Sequence, residues 1–307
     1  MSTLPKIPVP PPTAKPLTQP PRLKRWTFAG LLITYWCNAQ CAFCYVYSGP
    51  NKKGPTLTVN QALHFWTGLN QLLRDAHLVE AGKDLPCKVH FAGGEPFFDF
   101  PRLLEIARAA QSANLSLFEK VETNAFWATD DDSTREKIQL LADAGMAMLQ
   151  ISADVYHQEF VPVERCKRAA RIGAEIMGKE RVRVRWWDFI DQPVDVKAMS
   201  KPDRKAAYAD ALVRHRERIM GRAADLLAEH YECHPPEYFA AATCPDETLG
   251  SKHVHIDAYG HVFPGVCSGI IWGTVQKPEE PPGGMVLRSG CVGSQLFFTQ
   301  FWHLSPH

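Results

Sequence analysis

The chain has 307 residues, 45% of them hydrophobic, which is enough to bury one large core. Its 34 basic and 33 acidic residues leave a formal net charge of only +1, so the composition shows no overall bias toward nucleic acid or a membrane surface. No stretch reaches the roughly 18 consecutive apolar residues that a membrane-spanning helix needs.

Residues 1–25 are rich in proline and contain no apolar stretch of the kind found in a signal peptide, so we expect a disordered arm. Nine cysteines at uneven spacing, an odd number, favour a reducing compartment over a disulfide framework. We therefore expect a cytoplasmic protein.

Strand and helix patterns alternate through the first part of a core predicted over residues 26–232. This alternation predicts parallel strands joined by helical crossovers. Helix starts are indicated by the capping box Thr58–Gln61, by Asp99 before Pro101 and by Ser133 before Glu136, and the first helix should bury Leu63, Trp66, Leu69 and Leu72. Strands are predicted at 28–35, 88–92, 117–123, 146–151 and 182–189, and the longest helices at 163–178 and 203–232.

Polar residues recur where these strands end. Such positions converge at the carboxyl-terminal mouth of a barrel, where the loops meet. Arg183 and Arg185 alternate on the fifth strand and would point the same way, toward a carboxylate. The other strand-end residues are Gly93, Gly94, Glu95, Thr123, Asn124, Ser152 and Asp154.

Three cysteines, Cys37, Cys41 and Cys44, follow the first strand. Three thiolates can hold three irons of a [4Fe–4S] cluster and leave the fourth iron open for a ligand. Zinc is the alternative for a tight cysteine group, but it usually takes a fourth protein ligand. The nearest histidines, His64 and His77, lie in a helical pattern and make no paired motif with the cysteines.

The spacing of these cysteines, with Phe43 before the last one, resembles the signature of the radical S-adenosylmethionine (radical SAM) superfamily. Gly93-Gly94-Glu95-Pro96, Thr123-Asn124 and Ser152-x-Asp154 are similar to that family's further motifs, in the same order on successive strands. The resemblance covers about residues 28–190. It implies an α/β fold, a partial (β/α)6 TIM-like barrel.

The resemblance also implies the cofactors and the roles of individual residues. Cys37, Cys41 and Cys44 would bind a [4Fe–4S] cluster with an open site for S-adenosylmethionine. The reduced cluster would cleave that cofactor to a 5′-deoxyadenosyl radical, which abstracts hydrogen from a substrate. The residues implied in cofactor binding are Phe43, Gly93, Gly94, Glu95, Asn124, Ser152, Asp154 and Arg185.

From residue 233 cysteine, histidine and glycine become more frequent and the helical periodicity ends. We therefore predict that residues 233–307 form a separate extension. Alternation from Val254 to Phe263 around a turn at 258–260 predicts a β-hairpin. The flanking cysteines resemble a twitch or SPASM extension with an auxiliary iron–sulfur cluster, although the dense later cysteine run is missing. The alternatives are a zinc site that uses His234, His253 or His255, and no metal. The candidate auxiliary ligands are Cys233, Cys244, Cys267 and Cys291.

The resemblance implies an enzyme that modifies an unactivated C–H bond, by oxidation, crosslinking or epimerisation of a peptide or protein side chain. A flavodoxin or ferredoxin would donate the electron. A small metabolite or an RNA as substrate is the alternative, and a non-catalytic iron–sulfur or zinc protein is the alternative from another class. We expect no membrane partner, and the charge balance argues against nucleic acid.

Overall fold

The computed structural model describes residues 6–11, 26–75, 87–215, 219–240, 251–265, 271 and 273–275. The fold is mixed α/β, a parallel sheet covered by helices, as predicted. No helix in these described ranges is long and apolar enough to span a membrane.

Eight strands form one sheet within the described residues, in the order β5-β4-β3-β2-β1-β6-β7-β8. All neighbours from β5 to β6 pair in parallel, and β7 and β8 pair antiparallel. The six parallel strands of the expected barrel are thus present, but the sixth, β6, lies beside β1 rather than beyond β5. The strands are β1 Phe28–Leu32, β2 Lys88–Ala92, β3 Leu117–Thr123, β4 Met148–Ser152, β5 Val182–Arg185, β6 His253–Ile256, β7 His261–Pro264 and β8 Gly273–Thr274.

Helices return the chain between the parallel strands. The α-helices are α1 Val59–Asp75, α2 Phe100–Ser112, α3 Asp131–Asp143, α4 Val155–Gln158, α5 Val163–Met177, α6 Asp188–Asp191, α7 Lys201–Arg214 and α8 Arg222–Leu227. Short 3₁₀ turns occur at Pro96–Asp99, Lys179–Arg181, Ala228–His230 and Pro236–Phe239.

The two faces of the sheet differ in chemistry. Alternate residues such as Leu31, Phe91 and Val121 are fully buried and belong to the main core beneath the helices. The residues between them point to the inner side of the barrel, where Lys120 contacts Glu122 at 2.7 Å and Gln150 at 3.0 Å. The outer face therefore supplies most of the core, while the inner face carries these polar side chains and a small apolar cluster that includes Leu32 and Ala92.

Two helix starts follow the predicted capping chemistry. The Thr58 hydroxyl accepts a hydrogen bond from Gln61 N, and Gln61 Oε1 accepts one from Thr58 N, which is a capping box. Asp99 accepts from Arg102 N at the start of α2. Leu72, expected on the buried face of α1, is instead 51% exposed, so that part of the prediction was wrong.

The start of α3 lies earlier than the sequence predicted. Asp130 is its cap, because its carboxylate accepts from both the backbone N–H and the hydroxyl of Ser133. Ser133 is therefore inside the helix and does not cap it.

Two longer elements are shorter than expected. The fifth strand ends at Arg185 because Trp186 adopts a positive φ of 57°, which takes the chain out of the extended conformation. The helix expected over 203–232 ends at Arg214 and resumes only at Arg222, after Gly221 with φ 57°. A Cβ at Gly221 would lie 2.3 Å from the carbonyl oxygen of Tyr45, so the break brings α8 against the segment between β1 and α1 that carries Cys37, Cys41 and Cys44, the cysteine segment.

Described segments from both the N-terminal arm and the C-terminal part contact the core. The predicted hairpin forms as β6 and β7, and β6 continues the sheet through its parallel pairing with β1. In the proline-rich arm, Ile7 is buried and bridges to Tyr231, with its N–H donating to His230 O at 2.8 Å. That part of the arm lies extended on the segment after α8.

Candidate functional site

The three cysteines of the first motif lie on the segment between β1 and α1, at the carboxyl-terminal end of the parallel strands. The side chains of Cys37 and Cys41 are buried and Cys44 is half-buried, and none of the three is in a disulfide. Burial raises the pKa of Cys37 to about 12 and that of Cys41 well above its ordinary value. A bound metal would supply the positive charge that buried thiolates need.

Donors already point at these sulfurs. Ala39 N lies 3.4 Å from Cys37 Sγ, and Ser48 N lies 3.3 Å from Cys44 Sγ. Asn124 Nδ2 lies 3.7 Å from Cys37 Sγ. Hydrogen bonds to sulfur are one of the ways in which proteins tune iron–sulfur clusters, so the residues present fit a three-thiolate cluster.

Gly93 and Gly94 pack against the backbone that carries the cysteines. A Cβ at Gly94 would lie 2.2 Å from Trp36 O, and one at Gly93 would lie 2.6 Å from Thr34 O. Gly94 N donates to Thr34 O at 2.6 Å. The close approach that these glycines permit is thus to the cysteine segment, which the end of β2 holds in place.

Glu95 is almost fully buried and is surrounded by donors. Its Oε1 accepts from the Thr123 hydroxyl at 2.7 Å and from Phe97 N at 3.3 Å, and its Oε2 accepts from Asn124 N at 2.8 Å. Burial raises its pKa to about 7, against the lowering effect of these hydrogen bonds. The predicted site residues Glu95 and Asn124 are therefore directly joined.

Asn124 connects this carboxylate to the cysteine segment. Its Nδ2 donates to Asn38 Oδ1 at 2.9 Å, and its Oδ1 accepts from Phe126 N at 3.0 Å. Asn38, between the first two cysteines, was not singled out by the sequence. No periodic pattern marks position 38, because the side chain of Asn38 contacts a residue 86 positions away in the sequence.

Asp154 is buried at the start of α4. Its Oδ1 contacts His157 Nδ1 at 2.8 Å and accepts from Tyr156 N at 3.1 Å. Burial pushes the pKa of Asp154 upward, but the contacts with His157 and the charge of Arg185 together outweigh it, and the net shift is downward. Ser152 is half-buried and opposite Arg185 in the β4–β5 register. His157 thus lies in the site as the direct partner of Asp154.

Aromatic rings line the mouth between the cysteine segment and β5. Phe43 stacks on Tyr156 with ring centroids 5.1 Å apart and contacts Trp186 edge to face at 6.3 Å. The Arg185 guanidinium lies 4.5 Å from the centroid of the Trp186 ring. Phe43 and Arg185 therefore share one wall, whereas Arg183 is exposed to solvent.

Arg222 is the main residue that the sequence analysis did not identify. Its Nη1 donates to Cys41 O at 2.8 Å, its Nη2 to Ser48 O at 2.6 Å, and its backbone N–H to Cys44 O at 2.9 Å. The side chain is 8% exposed. The sequence signal available was only an arginine after a glycine inside a helical pattern.

The candidate auxiliary ligands lie mostly outside the described residues. Cys244, Cys267 and Cys291 lie outside them, and Cys233 is exposed. His234 stacks on Tyr238 at 3.9 Å. His253 and His255 instead lie on β6 beside His90, and burial lowers the pKa of each, to about 4 for His253.

A partial barrel with three free cysteines and a buried carboxylate at its mouth has the architecture of a metallocofactor-dependent barrel enzyme. The Radical SAM superfamily matches residues 31–184, which is half of the chain, and the chain belongs to this superfamily. Members of the superfamily are enzymes, and membership implies a [4Fe–4S] cluster, S-adenosylmethionine and an electron donor.

Solved structures with a similar arrangement were also found. BtrN in complex with AdoMet and 2-DOIA is 13% identical, with 82% of this chain and 78% of that chain covered and a TM-score of 0.46. SuiB of Streptococcus suis bound to S-adenosylmethionine is 14% identical, with 80% and 61% covered and a TM-score of 0.41. The structure anSMEcpe with bound AdoMet and Cp18Cys peptide is 14% identical, with 80% and 74% covered and a TM-score of 0.40. A search of curated protein sequences gave no match.

Proposed function

We propose that this chain is a radical SAM enzyme in which Cys37, Cys41 and Cys44 hold the cluster, and that its substrate is a peptide or protein side chain. The observation that carries the first part is the set of three free thiols on one segment, two of them accepting backbone N–H groups at their sulfurs. When bound, the cluster and S-adenosylmethionine supply a 5′-deoxyadenosyl radical that abstracts hydrogen from the substrate.

The protein residues have binding and positioning roles in this proposal. Glu95 provides a buried carboxylate as acceptor for the methionyl amino group, and Asn124 and the Gly93-Gly94 backbone position it against the cysteine segment. Asp154 and Ser152 provide acceptors for ribose hydroxyls. Phe43 and Arg185 form the wall toward β5, where Arg185 provides a cation for a carboxylate.

We base the substrate class on the C-terminal cysteines, because their arrangement in the sequence resembles that of extensions with an auxiliary cluster. The inner face of the barrel supports a polar substrate, because Lys120, Glu122 and Gln150 point into it. A reduced flavodoxin or ferredoxin would supply the electron, and the free thiols suit the cytoplasm, a reducing compartment.

Anaerobic reconstitution with iron and sulfide tests the cluster and its chemistry. We expect about four irons per chain for one cluster, or about eight if the extension holds another. With dithionite as reductant and S-adenosylmethionine, the chain should form 5′-deoxyadenosine. Replacing Cys37, Cys41 or Cys44 with Ala should abolish that product, because each removes one thiolate ligand.

Cys87→Ala is the matched control, since Cys87 is a buried thiol at the start of β2, in the apolar core. It should retain both the irons and the product. Deoxyadenosine formed at the wild-type rate by Cys41→Ala would contradict the proposal, and so would a fully reconstituted chain that never forms it.

Synthetic peptides test the substrate class. Their sequences are taken from short precursor peptides encoded beside the gene. Oxidation or crosslinking would remove the mass of two hydrogens from the peptide, and epimerisation in D₂O would replace one carbon-bound hydrogen with deuterium. Deoxyadenosine formation without any peptide change, together with turnover of a small metabolite, would overturn the peptide assignment and leave the radical chemistry in place.

A further inference from the structure

Three histidines from two strands meet on the inner face of the sheet. His90 lies on β2, and His253 and His255 lie on β6, on either side of β1. One ring nitrogen from each falls within 4.8 Å of the others. The register explains the meeting, because Gly30 on β1 is the common neighbour of His90 and His255.

Gly30 provides the space that the rings occupy. A Cβ at this position would lie 2.5 Å from His255 Nε2 and 2.7 Å from His90 Nε2. Any other residue on the central strand would push the imidazoles apart. The absence of a side chain here therefore directs two ring nitrogens toward the same point above β1.

The histidines have polar atoms with no protein partner. His90 and His255 are 2% and 3% exposed. Among the described residues, none is hydrogen-bonded to His90 Nδ1, His253 Nε2 or His255 Nδ1, although all three atoms are buried. At His90 and His255 the unpartnered atom is Nδ1, whereas the Nε2 atoms are the ones that meet above Gly30, so a metal would bind Nε2 while Nδ1 carries the ring proton.

We propose that His90, His253 and His255 bind a divalent transition-metal ion of the zinc class inside the barrel. Imidazole is a preferred ligand of zinc, and a three-histidine set leaves an open position for an oxygen ligand from water or substrate. Tetrahedral zinc with Zn–N bonds of about 2.0–2.1 Å needs ligand atoms about 3.3 Å apart, so ring nitrogens that lie within 4.8 Å of one another would have to approach by up to about 1.5 Å on binding.

The charges around the trio allow a cation. Lys120 is a positive side chain on the same face of the sheet; it is engaged by Glu122 at 2.7 Å and by Gln150 at 3.0 Å, so the Lys120–Glu122 pair is neutral. Phe28 packs against the histidines, with its ring centroid 4.3 Å from that of His253 and 4.6 Å from that of His90. Such an apolar cover limits the access of water to the metal.

The histidine site lies near the mouth of the barrel. Tyr45, which directly follows Cys44, has its ring centroid 6.1 Å from that of His255. The open metal position would thus lie on the inner face below the cysteine segment. This site is independent of the cluster ligands, so its test does not depend on S-adenosylmethionine cleavage.

The holoenzyme is incubated with Zn²⁺ and desalted, and its zinc and iron contents are then measured in the same sample. We expect about one zinc per chain bound through nitrogen and oxygen, with X-ray absorption distances of about 2.0–2.1 Å and imidazole scattering. Sulfur at about 2.3 Å would place the zinc on cysteines and would overturn the proposal. Absence of bound zinc would overturn it equally, and neither result requires a variant.

Variants then assign the ligands. His90→Ala and His255→Ala should each lower zinc affinity by at least tenfold, and Gly30→Ala should do so without removing a ligand. His64→Ala on the exposed face of α1 and Gly68→Ala, where a Cβ would meet nothing within 4 Å, are the matched controls. Iron content reports folding, and unchanged zinc affinity in a His90→Ala chain that keeps its iron would contradict the assignment.

Discussion

At the scale of single residues, Glu95 is a carboxyl group in a site that disfavours its charge. Its pKa is about 7 in the fold against an ordinary 4.5, mainly because of burial. The folded state therefore holds a proton more tightly than the unfolded state, so this group stabilises the fold at low pH and the contribution is lost as pH rises through about 7.

This gives a prediction for Glu95→Gln. Between pH 6 and pH 8 the wild type should lose about 1 kcal/mol of unfolding free energy relative to this variant, because only the wild type must ionise a buried carboxyl group. Urea unfolding of both chains at the two pH values measures the difference. Glu105→Gln, at an exposed position on α2, should follow the wild type. Parallel stability curves for wild type and Glu95→Gln would show that Glu95 ionises without cost.

The same residue shows what could be read from the sequence. Gly-Gly-Glu-Pro after a strand predicted a carboxylate at the mouth, and Glu95 lies there, joined to Asn124. Arg222 could not be predicted, since its partner Cys41 is 181 residues away and no local pattern encodes that contact. His253 and His255 were named from the sequence as possible zinc ligands, but their grouping with His90 was not predicted, because alternation identifies a strand but does not give its neighbour.

At the scale of elements, the cysteine segment is held by its surroundings rather than by regular structure of its own. β2 contacts it through Gly94, and α8 contacts it through Arg222. The sequence predicted the starts of α1 and α2 from their capping side chains, and it failed to predict the ends of elements where a residue of positive φ intervenes, at Trp186 and Gly221. Both breaks place residues against the site.

Arg222 is therefore expected to control cluster retention. Arg222→Lys keeps the charge but cannot reach the carbonyls of both Cys41 and Ser48, so one buried acceptor is left unpaired. We expect a loss of about 1–3 kcal/mol in unfolding free energy and a several-fold faster release of iron to a chelator.

Arg102→Lys is the control for this variant, because Arg102 forms an exposed pair with Glu105 on α2 and such pairs contribute little. Iron release followed by absorbance under anaerobic conditions compares the two. Equal release rates for Arg222→Lys and wild type would mean that the backbone contacts alone hold the segment.

At the scale of the whole molecule, the sheet continues from the core into the C-terminal part. The strand that precedes the cysteines, β1, is central, with β2 on one side and β6 on the other. Val254 and Ile256 of β6 are fully buried in the same core as Leu31. The hairpin thus contributes to the main core as well as to the inner face, where His253 and His255 lie.

This predicts that the core proposed from the sequence, residues 26–232, does not fold without the hairpin. A chain of residues 1–232 would leave one edge of β1 unpaired and would expose the apolar residues that β6 covers, so we expect it to aggregate or to bind little iron. A chain of residues 1–275 is the reference, since it keeps β6–β8 and lacks the same final residues. Iron per chain and thermal unfolding by circular dichroism compare the two. A 1–232 chain that binds as much iron as the 1–275 chain would make the hairpin an independent addition, because the pairing of β1 with β6 would then not be needed to position the cysteines.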